Sequence, residues 1–308
     1  MGDRKKILII LASGIGNSIL FGPTLKALRD NMPEAQIDIF AYKKIFASPF
    51  TGSNLVDDVI YFEGIKTIFE LRRRKYDISI TAFPSNRWQF NVFAFLVGAK
   101  KRVTHSYKVK KFRALSFLQN CKIAADEKLH DVEQNLNLLK LLNIKIPKKK
   151  EVFFYTTKEN EKYAENFLNK NKLKNAYLIG VHPGAGPFKF KIAPLEKFVE
   201  LINKYKRKNS KILIFGGKDD QEIKLKLNKL LDNKAFILTN NIKDVAALIK
   251  KCSLFISNDT GLMHIATTSK KTKVIALFNG TNLTRTAPYT KNRIIIILQK
   301  NKLKYPFY

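Results

Sequence analysis

The sequence predicts an α/β protein made of two doubly wound, Rossmann-like parallel sheets. Three observations carry this. Short apolar β-runs alternate with amphipathic helical stretches along most of the chain. The alternation stops in a stretch at 143–150 that contains Pro147 and three consecutive lysines, and then it restarts. At 308 residues the chain has the length of two ordinary domains. The expected division is therefore 1–150 and 151–308, two units facing each other across a ligand cleft.

In the first half, 5–12 reads as a buried strand closed by Ser13-Gly14-Ile15-Gly16-Asn17. A helix follows to about Met32, with Leu20, Leu25 and Leu28 on its apolar side and Pro33 ending it. Strands are expected at 36–42, 59–62 and 77–82, with helices at 63–74 and 88–98 between and after them. The stretch 102–105 reads as an edge strand, and 106–129 as a mobile, basic, partly helical excursion. Val132, Leu136, Leu139 and Leu142 are spaced for one face of a helix at 131–142. In the second half a helix at 159–171 precedes a strand at 176–182, which runs into Pro183-Gly184-Ala185-Gly186-Pro187. A proline-opened helix at 194–206 follows. A strand at 211–215 runs into Gly216-Gly217-Lys218-Asp219-Asp220 and a helix to Leu231. A strand at 236–239 and a helix at 242–251, with Val245 and Leu248 inward, complete this run.

The chain then reaches its most informative stretch, Leu254-Phe-Ile-Ser-Asn-Asp-Thr-Gly-Leu-Met-His264. A short strand breaks into a polar, glycine-containing loop, and a small helix at 262–268 leads to a strand at 274–278. A strand ending at a helix N-terminus is a common place for an α/β protein to hold an anion. Asp259 itself cannot hold a phosphate, since like charges repel. It caps the helix, orients a neighbour or accepts hydrogen bonds from a sugar hydroxyl. An aspartic protease is excluded, because its chemistry needs two such carboxylates and Asp259-Thr260-Gly261 occurs once. Gly14-x-Gly16 begins a dinucleotide fingerprint, but Ile19 occupies the third glycine position, so that motif is incomplete.

Composition bounds the function. No apolar run reaches the ~20 residues of a membrane span. The N-terminus reads as a first strand and turn, not a signal peptide. Cys121 and Cys252 form no metal-ligand spacing and fit a reducing cytoplasm. The formal net charge, 57 − 25 = +32, attracts polyanions. Lysine greatly outnumbers arginine, which argues against sequence-specific nucleic-acid reading. Two basic runs are dense, Arg72-Arg73-Arg74-Lys75 and Lys108-Val109-Lys110-Lys111-Phe112-Arg113. The second, with its interleaved aromatics, suits an anionic membrane surface.

Gly14-Ile15-Gly16-Asn17 with Pro23-Thr24-Leu25, His182-Pro183-Gly184-Ala185, Lys191 three before Pro194, Gly216-Gly217 with Asp219, and Ser257-Asn258-Asp259-Thr260-Gly261-Leu262-Met263-His264 occur in this order. Together they resemble glycosyltransferase family 9, the heptosyltransferase-like enzymes of lipopolysaccharide assembly, over about 5–281. The resemblance implies a GT-B fold and an inverting, metal-independent transferase without a cofactor. It would be cytoplasmic and peripheral on the inner membrane. The donor would be a nucleotide-diphospho-sugar, ADP-heptose foremost, and the acceptor a lipid-linked or phosphorylated glycan. Lys191 matches the family's phosphate-facing lysine, with Lys189 as the neighbour if the register slips. Thr260 and Gly261, within Asn258-Asp259-Thr260-Gly261, would offer donors to the diphosphate. His264 and His182 either donate to phosphate or sugar or are satisfied core histidines. Pro183, Gly184, Gly216 and Gly217 shape the donor loops, and Asp219 or Glu222 would accept the ribose hydroxyls. Gly14 and Gly16 form the acceptor-side loop. At position 17 the well-known members carry an aspartate taken as general base. Asn17 has no useful basicity, so another carboxylate or histidine serves as base, or Asn17 orients an acceptor whose proton leaves with the donor phosphate, or the protein is catalytically weak or has become a non-catalytic polyanion- or nucleic-acid-binding relative.

Overall fold

The computed structural model of the protein describes residues 4–11, 13–107 and 114–299. The basic run at 108–113 and the tail at 300–308 lie outside the described residues. The chain divides into two compact units between Tyr155 and Thr156. The stretch 143–150 stays with the first unit, where the Lys150 ammonium pairs with Glu133 at 2.8 Å.

In the first unit, β1 (Lys6–Leu11), β2 (Gln36–Ala41), β3 (Asp58–Tyr61), β4 (Ile78–Thr81), β5 (Lys101–Ser106) and β6 (Cys121–Ala124) form one sheet in the order β3-β2-β1-β4-β5-β6. All pairings are parallel. In the second unit, β7 (Tyr177–His182), β8 (Ser210–Ile214), β9 (Phe236–Ile237), β10 (Leu254–Asn258), β11 (Lys273–Asn279) and β12 (Arg293–Gln299) are ordered β12-β11-β10-β7-β8-β9, again parallel throughout. Both orders are the doubly wound 3-2-1-4-5-6 arrangement. The winding reverses between β1 and β4 and between β7 and β10, where α/β proteins place ligands.

Sequence dictates the central strands directly. Ile7 to Leu11 are buried without interruption, as strands covered by helices on both faces must be. The helix Leu195–Tyr205 turns Phe198, Leu201 and Ile202 onto the second sheet, where they meet Ile179, Val181 and Ile214. Helix starts follow capping chemistry. Asn241 accepts from the backbone N–H groups of Lys243 and Asp244 at 3.1 and 3.0 Å, opening Ile242–Lys251. Thr157 and Asn160 form a reciprocal capping box at Lys158–Lys170.

Several expectations are corrected. The stretch 106–129 contains β6, so β5 is an inner strand and β6 the edge. Cys-Lys-Ile-Ala is short and only half-buried on alternate residues, which left little apolar signal. The helix at 131–142 is α-helical only to Asn137 and continues as a 3-10 turn, Leu138–Leu142, closed by Asn143 at φ +57°. The sheet also gains β12, beyond the last expected strand.

Candidate functional site

The carboxyl ends of β7, β8 and β10 converge at the reversal point of the second sheet, and each ends in one of the motifs. Asn258, the fully buried last residue of β10, works as a bracket. Its Nδ2 donates to the carbonyls of Pro183 and Gly184 at 2.8 and 3.2 Å, and its Oδ1 accepts from the Ala193 N–H at 3.1 Å. One carboxamide thus fixes the loop after β7 and the segment that follows the 3-10 turn Lys189–Lys191. Asn279 holds the same turn from β11, donating to the carbonyls of Phe190 and Ile192.

Lys191, carried on that turn, reaches Asp259. Its Nζ lies 3.0 Å from Asp259 Oδ2 and 3.3 Å from the Asp259 carbonyl. The Thr286 hydroxyl donates to the same carboxylate at 3.3 Å. Asp259 therefore orients a neighbour and does not cap the helix; Thr260 occupies the N-cap position of Gly261–Thr267, without a side-chain cap bond. An ammonium has three donors, and Asp259 takes two of them, so Lys191 is a positioned cation with capacity for another anion. Lys189 shares the turn but has no such anchor among the described residues.

His182 ends β7 and joins the other loops. Its Nδ1 lies 2.9 Å from Thr260 Oγ1, and its Nε2 lies 3.3 Å from Asp220 Oδ2. Thr260 Oγ1 is also 3.2 Å from Ser257 Oγ. When Nε2 carries a proton toward the carboxylate, Nδ1 is left free to accept from the threonine hydroxyl. His264 is buried on the short helix, its N–H donating to the Thr260 carbonyl at 3.3 Å.

Sequence reasoning missed Asp220, which lies beside the chosen Asp219. Asp220 is nearly buried and accepts from the N–H groups of Gly217 and Gly186 at 3.1 and 3.4 Å. Burial pushes its carboxyl pKa up, but the bond and charge of His182 and the two N–H groups outweigh this and hold it below the usual value. A Cβ on Gly184 would stand 2.0 Å from Asp220 Oδ1, and one on Gly216, whose φ is +155°, would stand 3.0 Å from Asp220 Cβ. These glycines let the loops close on one carboxylate. One turn later Lys224 is fully buried, its Nζ donating to Gly216 O, Leu238 O and Thr239 Oγ1 at 3.1, 3.3 and 2.6 Å. Burial lowers its pKa, opposed by Asp220. The signal was present in helical phase: residues 220, 224 and 227 share one face (i, i+4, i+7), and all three are buried. Asp219 and Glu222 point outward. Glu222 is exposed and pairs with Lys226 at 2.6 Å.

In the first unit, Gly14 caps the helix Ile15–Asn31, and Gly16 and Asn17 lie in its first turn, directly after β1 at the reversal point. A Cβ on Gly14 would meet nothing within 4 Å, so this turn is open to an approaching ligand. Asn17 is half-buried, and no described residue bonds its carboxamide. The first turn holds no acidic residue. No three His, Cys, Asp or Glu among the described residues are grouped to hold a metal ion.

The model of Glycosyltransferase family 9 (heptosyltransferase) matches residues 65–305. The chain belongs to glycosyltransferase family 9. It is thus a glycosyltransferase, and its two parallel sheets are the two Rossmann-like domains of the GT-B fold. Similar relatives agree along most of the chain. Lipooligosaccharide heptosyltransferase 2 of Campylobacter jejuni is 25% identical over 299 residues, covering 92% of this chain and 84% of its own. Among solved structures, a family 9 glycosyl transferase from Veillonella parvula superposes with a TM-score of 0.82 at 24% identity, covering 96% of this chain and 86% of its own. The ADP-heptose heptosyltransferase II of E. coli lipopolysaccharide gives 0.77 at 20%, covering 94% and 90%. The family 9 match spans every motif of the second unit. Gly14, Gly16 and Asn17 precede its first residue.

Proposed function

We propose that this family 9 enzyme transfers a heptose from ADP-heptose, with inversion and without a metal, to a lipopolysaccharide or other lipid-linked glycan. The observation that carries it is the anchored Lys191, set among the motif loops at the reversal point of the second sheet. Departure of the sugar leaves negative charge on the diphosphate, and a fixed cation there stabilises the transition state more than the ground state. Lys191 supplies that charge. Asp259 keeps the ammonium in place between turnovers, and the His182–Thr260 contact presents the threonine hydroxyl beside it. The similar proteins are heptosyltransferases of lipooligosaccharide or lipopolysaccharide by name, with ADP-heptose in one of them, which favours this donor and acceptor.

On the acceptor side, Asn17 Oδ1 receives a hydrogen bond from the attacking hydroxyl and orients it. In an oxocarbenium-like transition state the hydroxyl attacks before its proton is lost, and the proton then passes to water. On this reading the enzyme works at the cytoplasmic side of a membrane, where a lipid-linked acceptor is presented. The reading is tested by incubating the protein with ADP-heptose and a heptose-deficient lipopolysaccharide, following ADP release and the mass of the glycan. A heptose added in the inverted configuration is expected without added metal. Transfer from UDP- or GDP-sugars alone, or strict dependence on a divalent ion, overturns it.

A further inference from the structure

We propose that the outer face of the helix pair Ile65–Arg73 and Trp88–Val97 is the surface by which the enzyme sits on an anionic bilayer. Both helices follow crossovers that advance in the same direction across the first sheet, β3 to β4 and β4 to β5. Right-handed crossovers place them on one face of it. They lie side by side, and Arg72 Nη1 donates to the Leu96 carbonyl at 2.9 Å. Thr67 and Leu71 of the first helix, and Asn91, Ala94 and Val97 of the second, point inward and are buried. Helical phase therefore aims Ile65 and Phe69, and Trp88, Phe95 and Leu96, outward. These five are exposed, Ile65 at 67%, Phe69 at 57% and Trp88 at 51%.

Large apolar side chains left in water in this number mark an interaction surface. The charges around them identify the partner. The spine of Ile65 and Phe69 is flanked by Arg72 on one side and by Lys66 and Arg73 on the other, and exposed Arg87 precedes Trp88. Lys66, Phe69, Glu70, Arg73 and Arg74 line one shallow depression, in which the Glu70 carboxylate is taken up by Arg74 at 2.7 Å. Neither Lys66 nor Arg73 has an ion-pair partner among the described residues. An apolar ridge bordered by unpaired cations is the pattern of a helix lying in the interface of an anionic membrane. A second copy of the chain fits poorly, since a two-fold contact through this face would set Arg against Arg in a protein of formal charge +32. Ile65 and Trp88 open their helices just past the carboxyl ends of β3 and β4, the sheet edge that also carries Gly14 to Asn17. Docking here brings that edge to the surface from which a lipid-linked acceptor is presented. The inference deepens the proposed function by naming the surface that meets the membrane.

Trp88 is the chain's one tryptophan, so the full-length protein reports on its own docking. It is mixed with vesicles of phosphatidylglycerol and phosphatidylethanolamine, or of phosphatidylcholine alone. Co-sedimentation and Trp88 emission are read without donor or acceptor, so a failure here leaves the transferase reading standing. Binding to the anionic vesicles only, with a blue shift of Trp88 emission that salt reverses, is expected. The double variant Phe69→Glu/Phe95→Glu should bind about tenfold or more weakly, and Lys66→Glu/Arg73→Glu should fall in the same direction. Melting curves equal to wild type show that both variants fold. Three results overturn the proposal: no vesicle binding, binding with unchanged Trp88 emission and undiminished in the variants, or a solution dimer that Phe69→Glu/Phe95→Glu splits into monomers.

Discussion

Replacing Asp220 by asparagine tests how the site is held together. The carboxylate accepts three hydrogen bonds, from Gly217 N at 3.1 Å, Gly186 N at 3.4 Å and His182 Nε2 at 3.3 Å. Asparagine keeps the volume but loses the charge and turns one oxygen into a donor, which then faces a donor. A net bond to a charged group is worth about 1.5–3 kcal/mol. These bonds are long, so the loss should be about 2 kcal/mol, or a drop of roughly 4–8 °C in the melting of a unit this size. The sign with pH follows from the depressed carboxyl pKa. The stabilisation is fully present above the unfolded value, about 3.9, and disappears as pH falls through the lower folded value. Melting of wild type and Asp220→Asn is therefore compared at pH 7 and in steps toward pH 3. A gap at neutral pH that closes in acid is expected. Equal melting at pH 7, or a gap that widens as pH falls below about 3.9, refutes the role given to Asp220.

Four further outcomes follow from the same geometry. ADP at 100 times its dissociation constant should stabilise the wild type by about 2.7 kcal/mol, a rise of roughly 5–10 °C. Lys191→Ala should lose most of that, and an undiminished response removes Lys191 from the donor site. Asn17→Asp installs a base beside the acceptor, so kcat should rise and gain an acid limb where the new carboxylate protonates; near-normal turnover in Asn17→Ala would show that Asn17 orients nothing. Gly184→Ala drives a methyl to 2.0 Å from Asp220 Oδ1 and should cost about 3 kcal/mol by overpacking. Combining it with Asp220→Ala should recover at least ~1 kcal/mol relative to additivity, and simple additivity would refute the clash. Native alkylation followed by mass spectrometry should label Cys121 and spare Cys252, whose thiol is fully buried and pushed well above its usual pKa; labelling of both at equal rates contradicts that burial.

The sheets were legible because buried parallel strands are written as uninterrupted apolar runs. Ile7 to Leu11 and Val274 to Phe278 need no context to be read. Where an edge strand is short and half-wet, as in β6, that signal fades, and only the pairing with β5 reveals the strand. The site was legible as residue types but not as partnerships. Asp219 and Asp220 look equivalent in sequence, and one residue of helical phase separates an exposed carboxylate from the one that ties two loops and the end of β7 together. Asn258 is similar: its motif position was readable, but only the fold shows that its carboxamide is spent on Pro183, Gly184 and Ala193.

The two reversal points differ in a way that bears on how the enzyme chooses its substrates. In the second unit the protein satisfies its own site. Asn258, His182 and Asp220 lock the loops, and Lys191 is held by Asp259, so the groups that would meet a diphosphate stand fixed before it arrives. Preorganisation of this kind lowers the cost of ordering on binding and favours one ligand geometry. In the first unit the turn at Gly14 is open and no described residue bonds the Asn17 carboxamide, so on the proposed reading an acceptor would bring its own complement to that amide. Substitutions around Asp220 or Asn258 should then weaken donor binding by loosening a structure. Those at residue 17 should alter turnover while leaving the melting temperature of the unliganded protein within about 1 °C, as surface changes away from packed contacts do. A fall in stability with Asn17→Ala comparable to that of Asp220→Asn would mean that the acceptor side is internally braced as well, and that the division between a fixed donor site and an open acceptor site is false.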